Sequence, residues 1–572
     1  MDNTLIFGAI IGRTSARRSP MLLPAFAIAF VVLFSLTASA TTDNATATEN
    51  QIEATLAEGE TLEKNERWGE AFGLYQKFLR EYPTAKRIQR RRSVARIHFD
   101  LERRYSDSSF VDTVRTSDAT AALNVYAEVL LKIQSYYVDA PNWAELASFG
   151  LTSLEIAMLN PEFHQANFPD ATPEQIRDAI LETRRELESY NVSNRHDVYT
   201  VAHATAQSLE RRINLRSSSV VYEFVCGAIS ALDPYSGFMS ASQYGESMSQ
   251  IEGNFVGLGV ELNTSEEFLD IVSVIEGGSA ETSGLIKGDR IVGVDSQTVS
   301  EIGSERAADL LRGPEGSWVS LAVSRNHSNR TIRLQRKRID IPSVEDVHLA
   351  DENSGVGYIR LTNFQKTTPR DFDAALWKLH RQGMRSLIVD VRGNPGGLLQ
   401  ASVDVADRFV TNGVIVSTRG RNPMEDYTHQ AHQTKTWRVP LVVLIDENSA
   451  SASEIFAAAI RDHHRGVIVG NQSYGKGSVQ GIFPLAISGG GVRLTTAKFF
   501  SPKGNGISEV GVGADVLVHE VARANPELQG EFEDAGMRLG IREAVKQTGK
   551  RKVIQNPNYG GFKQTGAVIS GR

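Results

Sequence analysis

The chain has 572 residues, too many for one hydrophobic core, so several domains are expected. A hydrophobic fraction of 41% and a charged fraction of 23% are ordinary for a water-soluble globular protein, and a formal net charge of -7 argues against a general nucleic-acid binder. The single cysteine, Cys226, excludes an intrachain disulfide and a cysteine zinc cluster, and it sits in an apolar run as a core residue would.

Arg13, Arg17 and Arg18 precede an apolar run from Met21 to Leu36, and Ala38-Ser39-Ala40 follows as a small-residue cleavage site. This is the pattern of an export signal over residues 1–40, with a periplasmic or cell-envelope setting as the consequence. The run falls short of the ~20 residues that a spanning helix needs, so cleavage is favoured, and membrane association is expected only if the segment stays uncleaved.

Residues 41–110 are expected to be helical. Gly59, Leu62, Trp68, Ala71, Tyr75, Phe78 and Pro83 fall at spacings that resemble one tetratricopeptide repeat, a helix hairpin. Lys86, Arg87, Arg90, Arg91, Arg92 and Arg96 make the following helix strongly basic: either a solvated face, or part of an adaptor or oligomer contact through residues 50–105. Residues 106–120, polar and rich in Ser, Thr and Asp, read as a linker. An amphipathic helix is expected over 121–137, and a mostly helical stretch over about 140–218 to which no chemistry attaches.

Residues 250–338 read as a small β-rich domain, with strands broken by Gly-Gly and Gly-Asp turns. GNFVGLGVELN and LLRGPEGSWVSLAV within it resemble a PDZ domain. The resemblance implies that Gly257, Leu258, Gly259 and Val260 form the loop that takes a peptide carboxylate on its N–H groups, while the peptide adds as a strand to the sheet edge. Bound tails are then expected to end in apolar residues.

Residues 345–520 alternate strand and helix patterns. SLIVDVRGNPGGLL (386–399) is a buried strand that ends in a Gly-rich turn before a helix. The apolar run Leu441 to Ile445 is a second buried strand, followed by Ser449, Ser451 and Ser453 alternating with alanine, then a helix. Val467 to Val469 is a third strand, and the loop after it carries Lys476 between Gly475 and Gly477. A hydroxyl where a strand turns into a helix N-terminus is well placed for nucleophilic attack, because unpaired backbone N–H groups there can meet an oxyanion. The candidate bases are His463 and His464, expected a helix length away, and Lys476 if it is held neutral. Two plainer readings stand beside this one. The serines are also good helix caps, and GNQSYGK approaches a phosphate-binding loop, with Gly477 where a magnesium-binding Ser or Thr should stand.

SASASEIF followed by GKGSVQ resembles the carboxyl-terminal processing, or tail-specific, serine proteases. VLLKIQSYYVD, Leu232-Asp233-Pro234-Tyr235-Ser236 and VRLTTAKFFSPKGNGI extend the resemblance over about 120–520. Where the family usually has G-I-x-P-D, this chain has Gly511-Val512-Gly513-Ala514-Asp515. The resemblance implies Ser451 as nucleophile, Lys476 as general base, Gln480 as the residue that orients the lysine, and the N–H groups of Gly396 and Ala452 as the oxyanion hole. It implies no metal and no other cofactor.

The expected fold is α+β and multidomain: a signal peptide (1–40), a helical region (41–110), the helical N-terminal part of a protease module (120–249), a PDZ domain (250–338), a mixed α/β Ser-Lys protease core (345–520), and a C-terminal helix and tail (521–572). The expected function is cleavage of protein substrates near their C-termini. The alternative is a helical-repeat and PDZ adaptor whose protease module is latent or minor.

Overall fold

The computed structural model describes residues 11–12, 48–188, 190–265, 267–326, 328–432, 436–518 and 534–550. The expected export signal, apart from residues 11–12, and the expected tail from 551 onward lie outside the described residues. Among the described residues no helix is long and apolar enough to cross a membrane. The chain forms two compact units: Met1–Pro342 with Ser417–Tyr427 and Gly477–Phe499, and Ser343–Val416 with Thr428–Lys476 and the chain from Phe500 onward. This division differs from the one expected from sequence, because residues 477–499, expected within the 345–520 core, pack with the first unit.

In the first unit, Glu49–Lys64 and Trp68–Glu81 form a helix hairpin, and Lys86–Tyr105 packs on it as a third helix. Leu56, Ala71, Tyr75, Leu79, Ile88 and Ala95 make the small core between them. The basic run is not wholly solvated. Arg87 pairs with Glu49 and Glu53, Arg91 pairs with Glu63, and Arg96 is buried. The expected linker 106–120 is a correction. Ser108–Thr116 is helical, because Asp107 caps it by accepting from the N–H groups of Ser109 and Phe110, and Phe110 and Val114 lie one turn apart and are buried.

Helices Ala119–Tyr136, Trp143–Leu159, Arg195–Ile213 and Ser217–Ser230 form a bundle with a continuous apolar core. Trp143–Leu159 and Ser217–Ser230 cross closely, since a Cβ at Gly227 would lie 2.6 Å from Gly150 Cα. The bundle also buries an ion pair, Arg104 with Glu223, to which the Ser153 and Tyr105 hydroxyls add hydrogen bonds. The β-rich domain follows, with antiparallel sheet order Val260–Thr264, Leu269–Val274, Arg290–Val294, Trp318–Arg325, Ser328–Gln335. The two-residue strand Ile11–Gly12 lies on the outer edge of Val260–Thr264. Asn254–Gly257 pairs separately with Lys337–Asp340. Ser478–Pro484 and Gly491–Phe500 form a hairpin, and the start of the second strand also pairs with Gly237–Met239.

The second unit is built on a sheet of order Val344–Asp351, Val356–Leu361, Ser386–Asp390, Leu441–Ile445, Val467–Gly470, Val516–Leu517. All neighbours are parallel except the first pair. Ser386–Asp390 and Leu441–Ile445 are buried at every position, the reason they read as unbroken apolar runs. Ile388, Val442, Leu444 and Val469 pack under the helix Ala535–Lys550. The alternate face is covered by the helices Thr368–Arg381, Leu399–Asp407 and Ala452–Asp462, and Phe409, just past the second of these, meets Phe372 of the first and Phe456 of the third with ring centroids 6.0 and 6.4 Å apart.

Candidate active site

Two turns meet at the carboxyl ends of adjacent parallel strands, where an open α/β sheet offers a crevice. One follows Ser386–Asp390 and carries Asn394-Pro395-Gly396-Gly397; the other follows Leu441–Ile445 and carries the three serines. They are stitched together. Asn394 O accepts from Ala450 N at 3.1 Å and from Ser453 Oγ at 3.0 Å, and Ser449 Oγ donates to Val391 O at 2.8 Å. Gly396 packs directly on the Ser451 turn: a Cβ there would lie 2.8 Å from Ser451 Cβ and 3.0 Å from Ala452 N.

The three serines thus separate. Ser449 and Ser453 are buried and spend their hydroxyls on carbonyls of the opposite turn. Ser451 is partly exposed and occupies the N-cap of Ala452–Asp462 with φ 55 and ψ -112. A positive φ on a non-glycine residue is strained and has to be held by its surroundings. Here Glu454 supplies the restraint. Its side chain is fully buried, and its Oε2 accepts from Ser451 N at 2.7 Å and Lys476 N at 2.9 Å. Its Oε1 accepts from Gly475 N and Ser473 Oγ, both at 2.6 Å. Burial raises the Glu454 carboxyl above its ordinary value, and these four donors oppose that rise. One carboxylate therefore ties the backbone of Ser451 to that of Lys476. Sequence reasoning missed Glu454; the signal was the S-x-x-E spacing from Ser451, which marks a capping box.

Ala452 N–H is one of the unpaired donors of the helix start, and no backbone acceptor meets it among the described residues. Gly396 N–H is differently placed: it donates to Asn394 Oδ1 at 2.9 Å. Lys476 is partly buried. Gln480 lies in the first unit, on Ser478–Pro484, where its Nε2 donates to Ser478 Oγ and Thr495 Oγ1, both at 3.1 Å.

Two sequence readings fall away. The phosphate-loop reading fails because Gly475 N–H and Lys476 N–H are spent on a buried carboxylate, and a strand rather than a helix follows. His463 and His464 lie beyond the far end of an 11-residue helix, about 16 Å from its start at 1.5 Å per residue, and His463 Nε2 contacts Val414 O. In the PDZ-like loop, Leu258 O and Gly259 O accept from Ala280 N and Ile275 N at 2.8 and 2.9 Å, which fixes the loop against the domain.

The pattern of Peptidase family S41 matches residues 355–518, and that of the PDZ domain matches residues 247–324. The chain is 36% identical over 337 residues to a carboxy-terminal-processing protease of Bartonella bacilliformis, covering 57% of this chain and 77% of the relative. It is 34% identical over 311 residues to a carboxyl-terminal-processing protease of Picosynechococcus sp., covering 53% and 74%. Among solved structures, a photosystem II D1 C-terminal processing protease aligns with 61% of this chain and 93% of its own at 28% identity, with a TM-score of 0.34. With the S41 pattern lying over the Ser451 turn and three quarters of a curated relative matched, the chain belongs to the carboxyl-terminal-processing proteases, serine-type peptidases that carry a PDZ domain.

Proposed function

We propose that the protein cleaves protein substrates near their C-termini by a Ser-Lys mechanism, with the PDZ domain binding the substrate tail. The observation that carries this reading is the strained Ser451, held at a helix start by the same carboxylate that anchors the backbone of Lys476. Lys476, neutral in the closed site, takes the Ser451 proton as Oγ attacks the scissile carbonyl. The lysine ammonium returns the proton to the leaving amine, and water then hydrolyses the acyl-enzyme. Gln480 orients Lys476.

The oxyanion is received by Ala452 N–H, which is ready, and by Gly396 N–H, which must first exchange its bond to Asn394 Oδ1 for the substrate. In this reading one donor is presented and the second engaged, a resting arrangement that substrate binding would complete. The tail adds as a strand along Val260–Thr264, with its carboxylate on the 257–260 loop and an apolar last residue. That the edge can take a strand is supported by its pairing with Ile11–Gly12. The N-terminal pattern of basic, apolar and small residues supports export to the periplasm or cell envelope.

The test uses residues 41–572, wild type beside Ser451→Ala and Lys476→Ala, with an unfolded protein that bears an apolar or a charged C-terminal tail. Cleavage by wild type alone, favouring the apolar tail, is the expected result. Full activity in either variant refutes the Ser-Lys assignment, and equal cleavage of both tails refutes the recognition of apolar ends.

A further inference from the structure

The turn Leu232-Asp233-Pro234-Tyr235-Ser236 holds none of the groups that carry the proposed reaction, yet it is braced both from within and from outside. Asp233 Oδ1 accepts from Tyr235 N at 2.8 Å and Ser236 N at 3.1 Å, and Oδ2 accepts from Ser236 Oγ at 2.6 Å. From outside, two arginines hold its carbonyls. Arg96, on the N-terminal helix Lys86–Tyr105 and only 8% exposed, donates Nη1 to Asp233 O at 2.5 Å and Nη2 to Ser236 O at 2.6 Å. Arg493 donates Nε to Tyr235 O at 2.8 Å.

The turn then reaches the catalytic hairpin. Thr495 Oγ1 lies 3.0 Å from Asp233 Oδ1 and 3.1 Å from Gln480 Nε2. Proton accounting fixes the direction of this chain. A carboxylate only accepts, so the single Thr495 hydroxyl proton goes to Asp233, and Thr495 Oγ1 is left to accept. Gln480 must therefore present its amide nitrogen to Thr495. Its other end, Oε1, is buried and has no hydrogen-bond partner among the described residues. A buried acceptor left open is costly unless something fills it, and an N–H of the lysine that Gln480 is proposed to orient is a donor that would.

We propose that Asp233 and Thr495 are positioning residues that set the Gln480 amide so that its oxygen, not its nitrogen, is the atom left open for its proposed role. Arg96 locks the turn that makes this possible, so the N-terminal helical region belongs to the protease machinery and is not a separable adaptor. This rests on the proposed role of Gln480, and it settles which of its two polar atoms serves that role.

The test is a set of double-variant cycles in the full chain, because a residue that acts through Gln480 loses its effect when Gln480 is gone. Thr495→Val, Thr495→Ser, Arg96→Ala and Arg96→Lys are each made with Gln480 intact and in a Gln480→Ala background. Cleavage of the apolar-tailed substrate gives kcat and KM, and thermal midpoints report folding. Losing one of the two hydrogen bonds that hold the Gln480 nitrogen is expected to lower kcat about tenfold in Thr495→Val with KM within about twofold, while Thr495→Ser keeps wild-type turnover. In the Gln480→Ala background the Thr495→Val effect should shrink to less than about twofold. Arg96→Ala should behave in the same way, partly rescued by Arg96→Lys. If turnover of Gln480→Ala is too low to read, the rate at which a fluorophosphonate labels Ser451 gives the same comparison. An equal loss in both backgrounds, or full activity in Thr495→Val, overturns the proposal and leaves the Gln480 role standing. Full activity in Gln480→Ala removes that role and this inference together. Should Arg96→Ala fail to fold, the Thr495 pair decides.

Discussion

Gly396→Ala probes the contact between the two turns of the active site. Gly396 has φ 113, outside every region that an L-residue adopts comfortably. The added methyl would sit 2.8 Å from Ser451 Cβ, 2.9 Å from Ala450 O and 3.0 Å from Ala452 N. These neighbours are backbone or the stem of the nucleophile, so none can swing aside as a flexible side chain would. The backbone strain is on the order of 1–3 kcal/mol, enough to lower the melting temperature of the second unit but not to unfold it. The effect on chemistry should be larger. The methyl presses on the proposed nucleophile and on the Ala452 N–H proposed as an oxyanion donor, and losing one such donor typically costs about 10²–10³ in kcat. The control is Gly393→Ala in the same loop, at φ 70 with nothing within 4 Å of its added methyl, which should cost about 1 kcal/mol of stability and little turnover. Cleavage of an apolar-tailed substrate and calorimetry on both variants separate the two effects. If Gly396→Ala turned over within about threefold of Gly393→Ala, the close packing of Gly396 on the nucleophile would have no catalytic meaning.

Glu454→Gln puts an amide nitrogen against at least one backbone N–H donor whichever way it turns, and should lower kcat by about 10²-fold through misplacement of Ser451 and Lys476, measured against an unchanged secondary-structure signal. Burial pushes His98 down to about 4, and its ring stacks on Trp68 at 3.7 Å. It is neutral in the fold and charged when unfolded between about 6.5 and about 4, so its contribution is complete above that window and lost as pH falls through it. For a partly exposed ring this amounts to about 1–2 kcal/mol, read as a fall in denaturant midpoint that His98→Phe should abolish; parallel curves for the two proteins would count against it. Arg104→Met strands the fully buried Glu223 carboxylate and should cost about 3–5 kcal/mol, whereas adding Glu223→Leu should restore most of the loss. A double variant no more stable than the single one would contradict this.

What could be read from the sequence were features written locally. Leu441–Ile445, Ala452–Asp462 and Val467–Gly470 follow from apolar runs, alanine content and glycine punctuation, and the serine alternation marks a helix start. What could not be read depends on partners far along the chain. The role of Glu454 is set by N–H groups 21 and 22 residues away, and the grip of Asn394 on Gly396 N–H by a side-chain conformation within the turn. Arg96 looked like one more charge in a basic run, because its acceptors lie 137 and 140 residues downstream. The helix Ser108–Thr116 was hidden by its polar composition, since two buried side chains among nine suffice to dock a short helix whose cap is supplied by Asp107.

The left-handed backbone at Ser451 also limits which side chain this position can hold in its proposed role as nucleophile. A β-branched side chain is poorly tolerated at φ 55, so threonine, chemically the nearest hydroxyl, is excluded by conformation and not by reactivity. Cysteine has the same unbranched Cβ as serine and fits without moving the turn. In the evolution or engineering of this site, exchange of oxygen for sulfur is therefore open at position 451, while exchange of one alcohol for another is closed.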